Sequence, residues 1–131
     1  QIEGIDAEDG LDGHVVVLIE DLISTGGSSA GAVQAIRNAN GICIYCVSIF
    51  NYGFHEARDI FDGKKPYDRE GNFLEERCKT ISLLTYDNLL KVAKERGYIN
   101  VEQETMLAEW RDNPFTWGEK HGFPKVEKGG K

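Results

Sequence analysis

The residues whose types and spacing could do chemistry lie between Val15 and Ser29. Five apolar residues, Val15-Val16-Val17-Leu18-Ile19, precede the acidic pair Glu20-Asp21; Leu22-Ile23 and then Ser24-Thr25-Gly26-Gly27-Ser28-Ser29 follow. The backbone amides of Thr25 to Ser29 stand at the start of a helix, where peptide dipoles favour an anion. Gly26 and Gly27 let the backbone approach a ligand closely, and the hydroxyls of Ser24, Thr25, Ser28 and Ser29 add donors. That is a phosphate cradle. Carboxylates beside it would repel a phosphate unless they face another part of the same ligand. Ribose hydroxyls are donors and carboxylates are acceptors, so the conjunction suits a ribose 5-phosphate.

Competing phosphate loops fit less well. The P-loop requires Gly-Lys-Ser/Thr before its helix, and no Gly-Lys follows this strand. The dinucleotide fingerprint G-x-G-x-x-G is absent, because the glycines fall at 26, 27 and 31. An acidic pair after a strand is by itself most often a solvated turn, and Ser28 and Ser29 could simply cap a helix. The combination carries the reading.

The elements that must position this loop are legible around it. An unbroken apolar run at Val15 to Ile19 predicts a strand buried on both faces, as in parallel sheets under helices. Ala30, Val33, Ile36 and Ala39, widened by Ala32 and Ala35, predict a helix face that stops at Asn40-Gly41. Ile42 to Phe50 predicts a second buried strand, which completes a right-handed parallel βαβ unit. Helical spacing is weak over Phe54 to Phe61, and Asp62 to Gly71 reads as an exposed, turn-rich excursion. Ile81-Ser82-Leu83-Leu84 predicts a short third strand. Thr85 is expected to cap a helix carrying Tyr86, Leu89, Leu90 and Ala93 on one face and ending at Gly97. A last helix is expected from Asn100, with Gln103, Met106, Leu107 and Trp110 at helical spacing and Pro114 beyond its end. The class is α/β with a parallel sheet: one domain over residues 1–117 and a loosely held tail over 118–131, with Lys128-Gly129-Gly130-Lys131 disordered.

Composition narrows the function classes. A net charge of −7 argues against nucleic-acid binding, although amides and a metal ion can still hold a phosphate in an acidic protein. The apolar runs are too short to span a bilayer, and Gln1-Ile2-Glu3-Gly4-Ile5-Asp6 does not read as a signal segment. Cys43 and Cys46 form a C-x-x-C inside a strand, where an offset of three is expected to put them on opposite faces. With Cys78 they read as buried reduced thiols, and the compartment as cytoplasmic. His55-Glu56 lacks a second histidine for a metal site. His14 and His121 have no partner in sequence, Trp110 and Trp117 read as packing anchors, and the lysines at 64, 65 and 125–131 as solvated charge.

The stretch Val15 to Ser29 resembles the phosphoribosyl pyrophosphate motif of type I phosphoribosyltransferases, and among them it is most similar to orotate phosphoribosyltransferase. Gln1-Ile2-Glu3-Gly4 resembles the segment just after that family's mobile catalytic loop. Val47-Ser48-Ile49-Phe50-Asn51-Tyr52 resembles the strand after the motif helix, Ser82 to Tyr86 with Leu89-Leu90 a late strand–helix junction, and Leu107 to Trp117 the closing helix. Asp62 to Lys79 and the tail match poorly.

The resemblance implies a doubly wound phosphoribosyltransferase-type core of which this is the C-terminal portion. The upstream strands, pyrophosphate loop, base-side hood and catalytic lysines would then lie outside the chain, which is expected to be inactive alone. It implies transfer of the phosphoribosyl group from phosphoribosyl pyrophosphate to orotate, giving orotidine 5-phosphate and pyrophosphate in pyrimidine biosynthesis. Magnesium on the pyrophosphate, an oxocarbenium-like transition state and a homodimer come with it. Residue by residue, Glu20 and Asp21 would hold the ribose hydroxyls, with Asp21 nearer the reacting sugar. Ser24, Thr25, Gly26, Gly27 and Ser28, with Ser29 at the helix start, would wrap the 5-phosphate, and Ser24 would also lie near the pyrimidine. No residue is assigned as a metal ligand. Some relatives place an arginine after the second strand to meet orotate; here that stretch is Asn51-Tyr52-Gly53-Phe54. A purine phosphoribosyltransferase and a non-catalytic ribose-phosphate-binding module stay open as other readings.

Overall fold

Parallel pairing organises the chain. The computed structural model describes residues 10–125, so the expectations for Gln1-Ile2-Glu3-Gly4 and for Lys128 to Lys131 lie outside the described residues. Strand β1 (Val15–Ile23) leads into helix α1 (Gly27–Asn38) and strand β2 (Ile42–Asn51). Helix α2 (His55–Phe61), strand β3 (Lys79–Thr85) and helix α3 (Tyr86–Glu95) follow, then α4 (Val101–Asp112) and the short α5 (Trp117–Lys120). The strands form one parallel sheet in the order β1-β2-β3, which is the α/β class expected. No helix among the described residues is long and apolar enough to cross a membrane.

Each strand runs past its apolar stretch, because pairing rather than hydrophobicity sets its end. Glu20, Ser48 and Ser82 share one row across the sheet, and Ile23, Asn51 and Thr85 share the last. The two faces of the sheet differ. Leu18, Cys46 and the α1 residues Ala30, Val33 and Ile36 join Ala57, Ile60 and Phe61 of α2 in one core. On the opposite face of the sheet, among the described residues, Val15, Ile19 and Leu83 are 72%, 76% and 80% exposed. The unbroken run Val15 to Ile19 therefore does not mark two-sided burial here. Of the two windings of a doubly wound sheet, α1 and α2 supply one.

A bulge corrects the cysteine expectation. Val15 pairs with Ile42 but Val17 pairs with Tyr45, so two steps along β1 match three along β2. The additional residue reverses the alternation, and Cys43 and Cys46 both enter the core instead of pointing to opposite faces. Arg37, in the last turn of α1, stabilises the irregularity. Its Nε and Nη2 donate to the Cys43 carbonyl at 3.0 and 2.7 Å, and Nη1 donates to the Glu76 carbonyl at 2.6 Å. Cys78, just before β3, completes a group of three buried free thiols.

Two compact units are separated after Tyr86. In the second, α3 ends near Gly97 in a left-handed turn (φ +74), as expected from the sequence. Helix α4 opens with a reciprocal capping box: Gln103 N–H donates to Asn100 Oδ1 at 2.8 Å, and Asn100 N–H to Gln103 Oε1 at 3.0 Å. Lys94 pairs with Glu104 at 2.6 Å and Arg111 with Asp87 at 3.0 Å. The Trp117 and His121 rings stack at 4.0 Å, so part of the stretch expected to be loosely held is helical and packed.

Burial raises the Cys46 thiol from its ordinary 9.0 to about 12, with Cys78, Glu20 and Cys43 adding to the shift. Burial and Cys43 raise Cys78 to about 11 against the pull of Arg37. Protonated thiols are thus favoured in the folded chain. Their contribution to stability is complete below about pH 9 and is lost as pH climbs toward 11–12. Denaturant midpoints measured from pH 8 to 11 should fall, and a Cys46→Ala, Cys78→Ala chain should fall less steeply. A disulfide-exchange reagent should find these thiols unreactive at pH 7.5 until urea unfolds the chain.

Candidate functional site

Only Ser24, Thr25 and Gly26 separate the carboxyl end of β1 from the first residue of α1. A turn this tight requires one residue to leave the ordinary backbone regions. Gly26 does so, at φ +86 and ψ −9. No side chain caps the helix, and its first turn holds no acid. The first helical bond runs from Ala30 N–H to the Gly26 carbonyl at 2.9 Å. The amides of Gly27, Ser28 and Ser29 therefore have no partner within the helix. A left-handed residue leading into an uncapped helix start forms the concave run of amides that binds anions.

This turn is also packed from behind. A Cβ on Gly26 would lie 3.1 Å from Ala57 and 3.3 Å from the Phe61 ring. One on Gly27 would lie 2.7 Å from the Tyr67 carbonyl oxygen. The segment Asp62 to Gly71 is largely exposed, as expected, but it is anchored, since Tyr67 packs on the core beside α1. Asp68 closes this segment by accepting from the Asn72 amide at 2.9 Å and its side chain at 2.6 Å. Those bonds hold the Asp68 carboxyl below its ordinary range. Turn-rich composition foretold a loop but not the ring that anchors it.

The acidic pair divides. Glu20 is half-buried on the helix side of the sheet, and its Oε1 accepts from the Ser29 hydroxyl at 2.8 Å. Asp21, the next residue along a strand, is exposed. Ser24 and Thr25 are half-buried at the turn and Ser28 is exposed, whereas Ser29 is only 3% exposed. Residues 20–29 thus lie together along one end of the sheet, with Ser29 turned inward to the carboxylate.

Beside this turn, the end of β2 carries an aromatic group that the motif-based reading missed. Tyr52 stacks on Phe54 with centroids 5.1 Å apart, and Phe50 meets Tyr52 edge-on at 5.1 Å. Asn51 Oδ1 accepts from Gly53 N–H at 2.8 Å and holds the turn between them. The alternation of Phe50, Tyr52 and Phe54 was the available signal. A cavity of about 330 Å³ lined by Ile23, Arg58, Phe61, Cys78 and Thr80 lies next to α2 and includes none of residues 24–29. The candidate site is an open rim.

No protein-family model matches the chain. It is similar to orotate phosphoribosyltransferases of several bacteria. The Listeria innocua protein is 37% identical over 81% of this chain and 45% of its own length. The Porphyromonas gingivalis protein is 41% identical over 79% of this chain and 43% of its own. The Staphylococcus aureus protein is 40% identical over 86% of this chain and 48% of its own. The chain thus spans a little under half the length of the curated relatives it matches, and the resemblance seen in its motifs holds across most of its residues.

Gly26 and Gly71 offer a direct test of the turn. Both have φ near +86°, but a Cβ on Gly71 would meet nothing within 4 Å. Gly71→Ala should cost the strain of a left-handed residue alone, about 1 kcal/mol. Gly26→Ala should cost that plus a packing penalty, roughly 2–4 kcal/mol in all. Urea unfolding of the two variants measures the difference.

Proposed function

We propose that this chain supplies the ribose 5-phosphate half of an orotate phosphoribosyltransferase site. The uncapped amide turn at Gly26 to Ser29, next to two carboxylates on one strand end, is the observation that carries the reading. Glu20 and Asp21 accept from the ribose hydroxyls, while the amides of Gly27, Ser28 and Ser29 receive the 5-phosphate under the helix dipole. The relatives' name and the motif together support transfer of the phosphoribosyl group to orotate, forming orotidine 5-phosphate and pyrophosphate. The chain's share of catalysis is placement: it fixes both ends of the sugar so that the reacting carbon is presented to the incoming base.

Magnesium belongs to the reading through the substrate. Among the described residues no group of three or more His, Cys, Asp or Glu side chains could hold an ion. The ion would be carried by the substrate's pyrophosphate, in keeping with the way magnesium is commonly bound through substrate phosphates. When bound, the ion would neutralise charge on the departing pyrophosphate. A homodimer is part of the proposal on the family resemblance alone. The three free thiols support a reducing, cytoplasmic setting.

Calorimetric titration of the chain with ribose 5-phosphate, orotidine 5-phosphate and adenosine 5-phosphate tests the site. All three should bind, and Asp21→Asn should weaken each by roughly 5- to 20-fold, the worth of a charge-assisted hydrogen bond. Preference for the orotidine ligand would place pyrimidine selectivity within these residues. A folded chain that binds none of the three would remove the site.

A further inference from the structure

The Ser29 side chain is the one in this turn whose surroundings do not suit a phosphate ligand. Its hydroxyl lies in the core, at 3% exposure, and donates to Glu20 Oε1 at 2.8 Å. The two residues belong to different elements: Glu20 to β1, Ser29 to the first turn of α1. We propose that Ser29 is a positioning residue for ribose recognition, fixing the Glu20 carboxylate so that its second oxygen is presented to a sugar hydroxyl. The inference rests on the ribose 5-phosphate reading above and goes beyond it by giving the Ser29 hydroxyl a role separate from that of its amide in the phosphate cradle.

Three observations support the assignment. A glutamate has three rotatable side-chain bonds, so an unrestrained carboxylate at a strand end loses rotamer freedom each time it binds a hydroxyl. A buried donor removes that loss in advance, and a hydrogen bond to a charged acceptor is among the stronger ones. The rest of Glu20's own row offers no comparable restraint. Ser48, its neighbour in register, is 1% exposed and bonded to Ser82 Oγ at 2.7 Å. Finally, the bond joins the carboxylate to the helix whose free amides form the cradle, so the distance between the two recognition groups is set by one hydrogen bond as well as by the chain.

The test separates sugar from phosphate by titrating the intact chain with ribose 5-phosphate and with inorganic phosphate, following amide shifts by NMR. Ser29→Ala should weaken ribose 5-phosphate roughly tenfold and leave inorganic phosphate within about twofold. Glu20→Gln should give the same pattern, and the double variant should be no worse than Glu20→Gln alone, because the hydroxyl acts through the carboxylate. Ser29→Thr, which keeps the hydroxyl, should restore most of the loss, while the amide spectrum reports whether each variant is folded. Equal weakening of both ligands by Ser29→Ala would make the Ser29 hydroxyl a phosphate ligand and overturn the proposal. Additive losses in the double variant would also overturn it. Wild-type chain that binds inorganic phosphate but not ribose 5-phosphate any tighter would overturn the ribose reading itself, a result distinct from either.

Discussion

The structure depends on a turn that has to reconcile opposite charges. Within ten residues the chain presents two carboxylates and then the positive end of a helix, and a phosphate is attracted by one and repelled by the other. Direction separates them. The strand places Glu20 against α1, where a buried hydroxyl occupies one of its oxygens, and it leaves Asp21 exposed. The helix meanwhile carries no acid in its first turn and no side-chain cap on its amides among the described residues. A serine or aspartate cap would have stabilised α1 by only a few tenths of a kcal/mol over glycine. Leaving Gly26 in that position gives up this stabilisation and keeps the donors available.

That arrangement needs a rigid backing, which comes from elements distant in sequence. Ala57 and Phe61 of α2 close on Gly26, and the Tyr67 carbonyl closes on Gly27. The glycines therefore serve two purposes at once: one permits a left-handed backbone, and both admit neighbours that a methyl group would exclude. The bulge in β2 contributes from the other side of the core. By turning both Cys43 and Cys46 inward it fills the space under α1, and Arg37 satisfies the carbonyl it displaces. The sheet's other face, with Val15, Ile19 and Leu83 in solvent, shows how one-sided this backing is.

Local pattern made the elements legible. The β-formers of β1 and β2, the small-residue face of α1, the Asn100–Gln103 cap and the stop at Gly97 were each marked by residue types with a local physical reason. The tight turn before α1 was legible too, because glycines and hydroxyls before a helix form a contiguous signal. What escaped was set by pairing between strands and by contacts across long separations. An alternation argument fails for Cys43 and Cys46 because register, not sequence spacing, determines that two residues of β1 match three of β2. Tyr67 sits in a segment of turn formers, and only its ring packing on the core reveals that the segment closes over α1. The open sheet face was misread because an unbroken apolar run describes what a strand can bury, not what is present to bury it.

The same logic alters how the acidic pair is understood. In sequence Glu20 and Asp21 are adjacent and nearly equivalent, and the family resemblance favours Asp21 as the acid nearer the reacting sugar. In the structure they differ in kind. Glu20 is restrained, longer by one methylene, and lies near enough to Cys46 to help raise that thiol. Asp21 is solvated and carries no such restraint. A solvated carboxylate meets a ligand in competition with water and is screened by salt, whereas a restrained, half-buried one gains more from each hydrogen bond it completes. The two acids therefore differ by environment: Glu20 is a restrained acceptor, and Asp21 a solvated one.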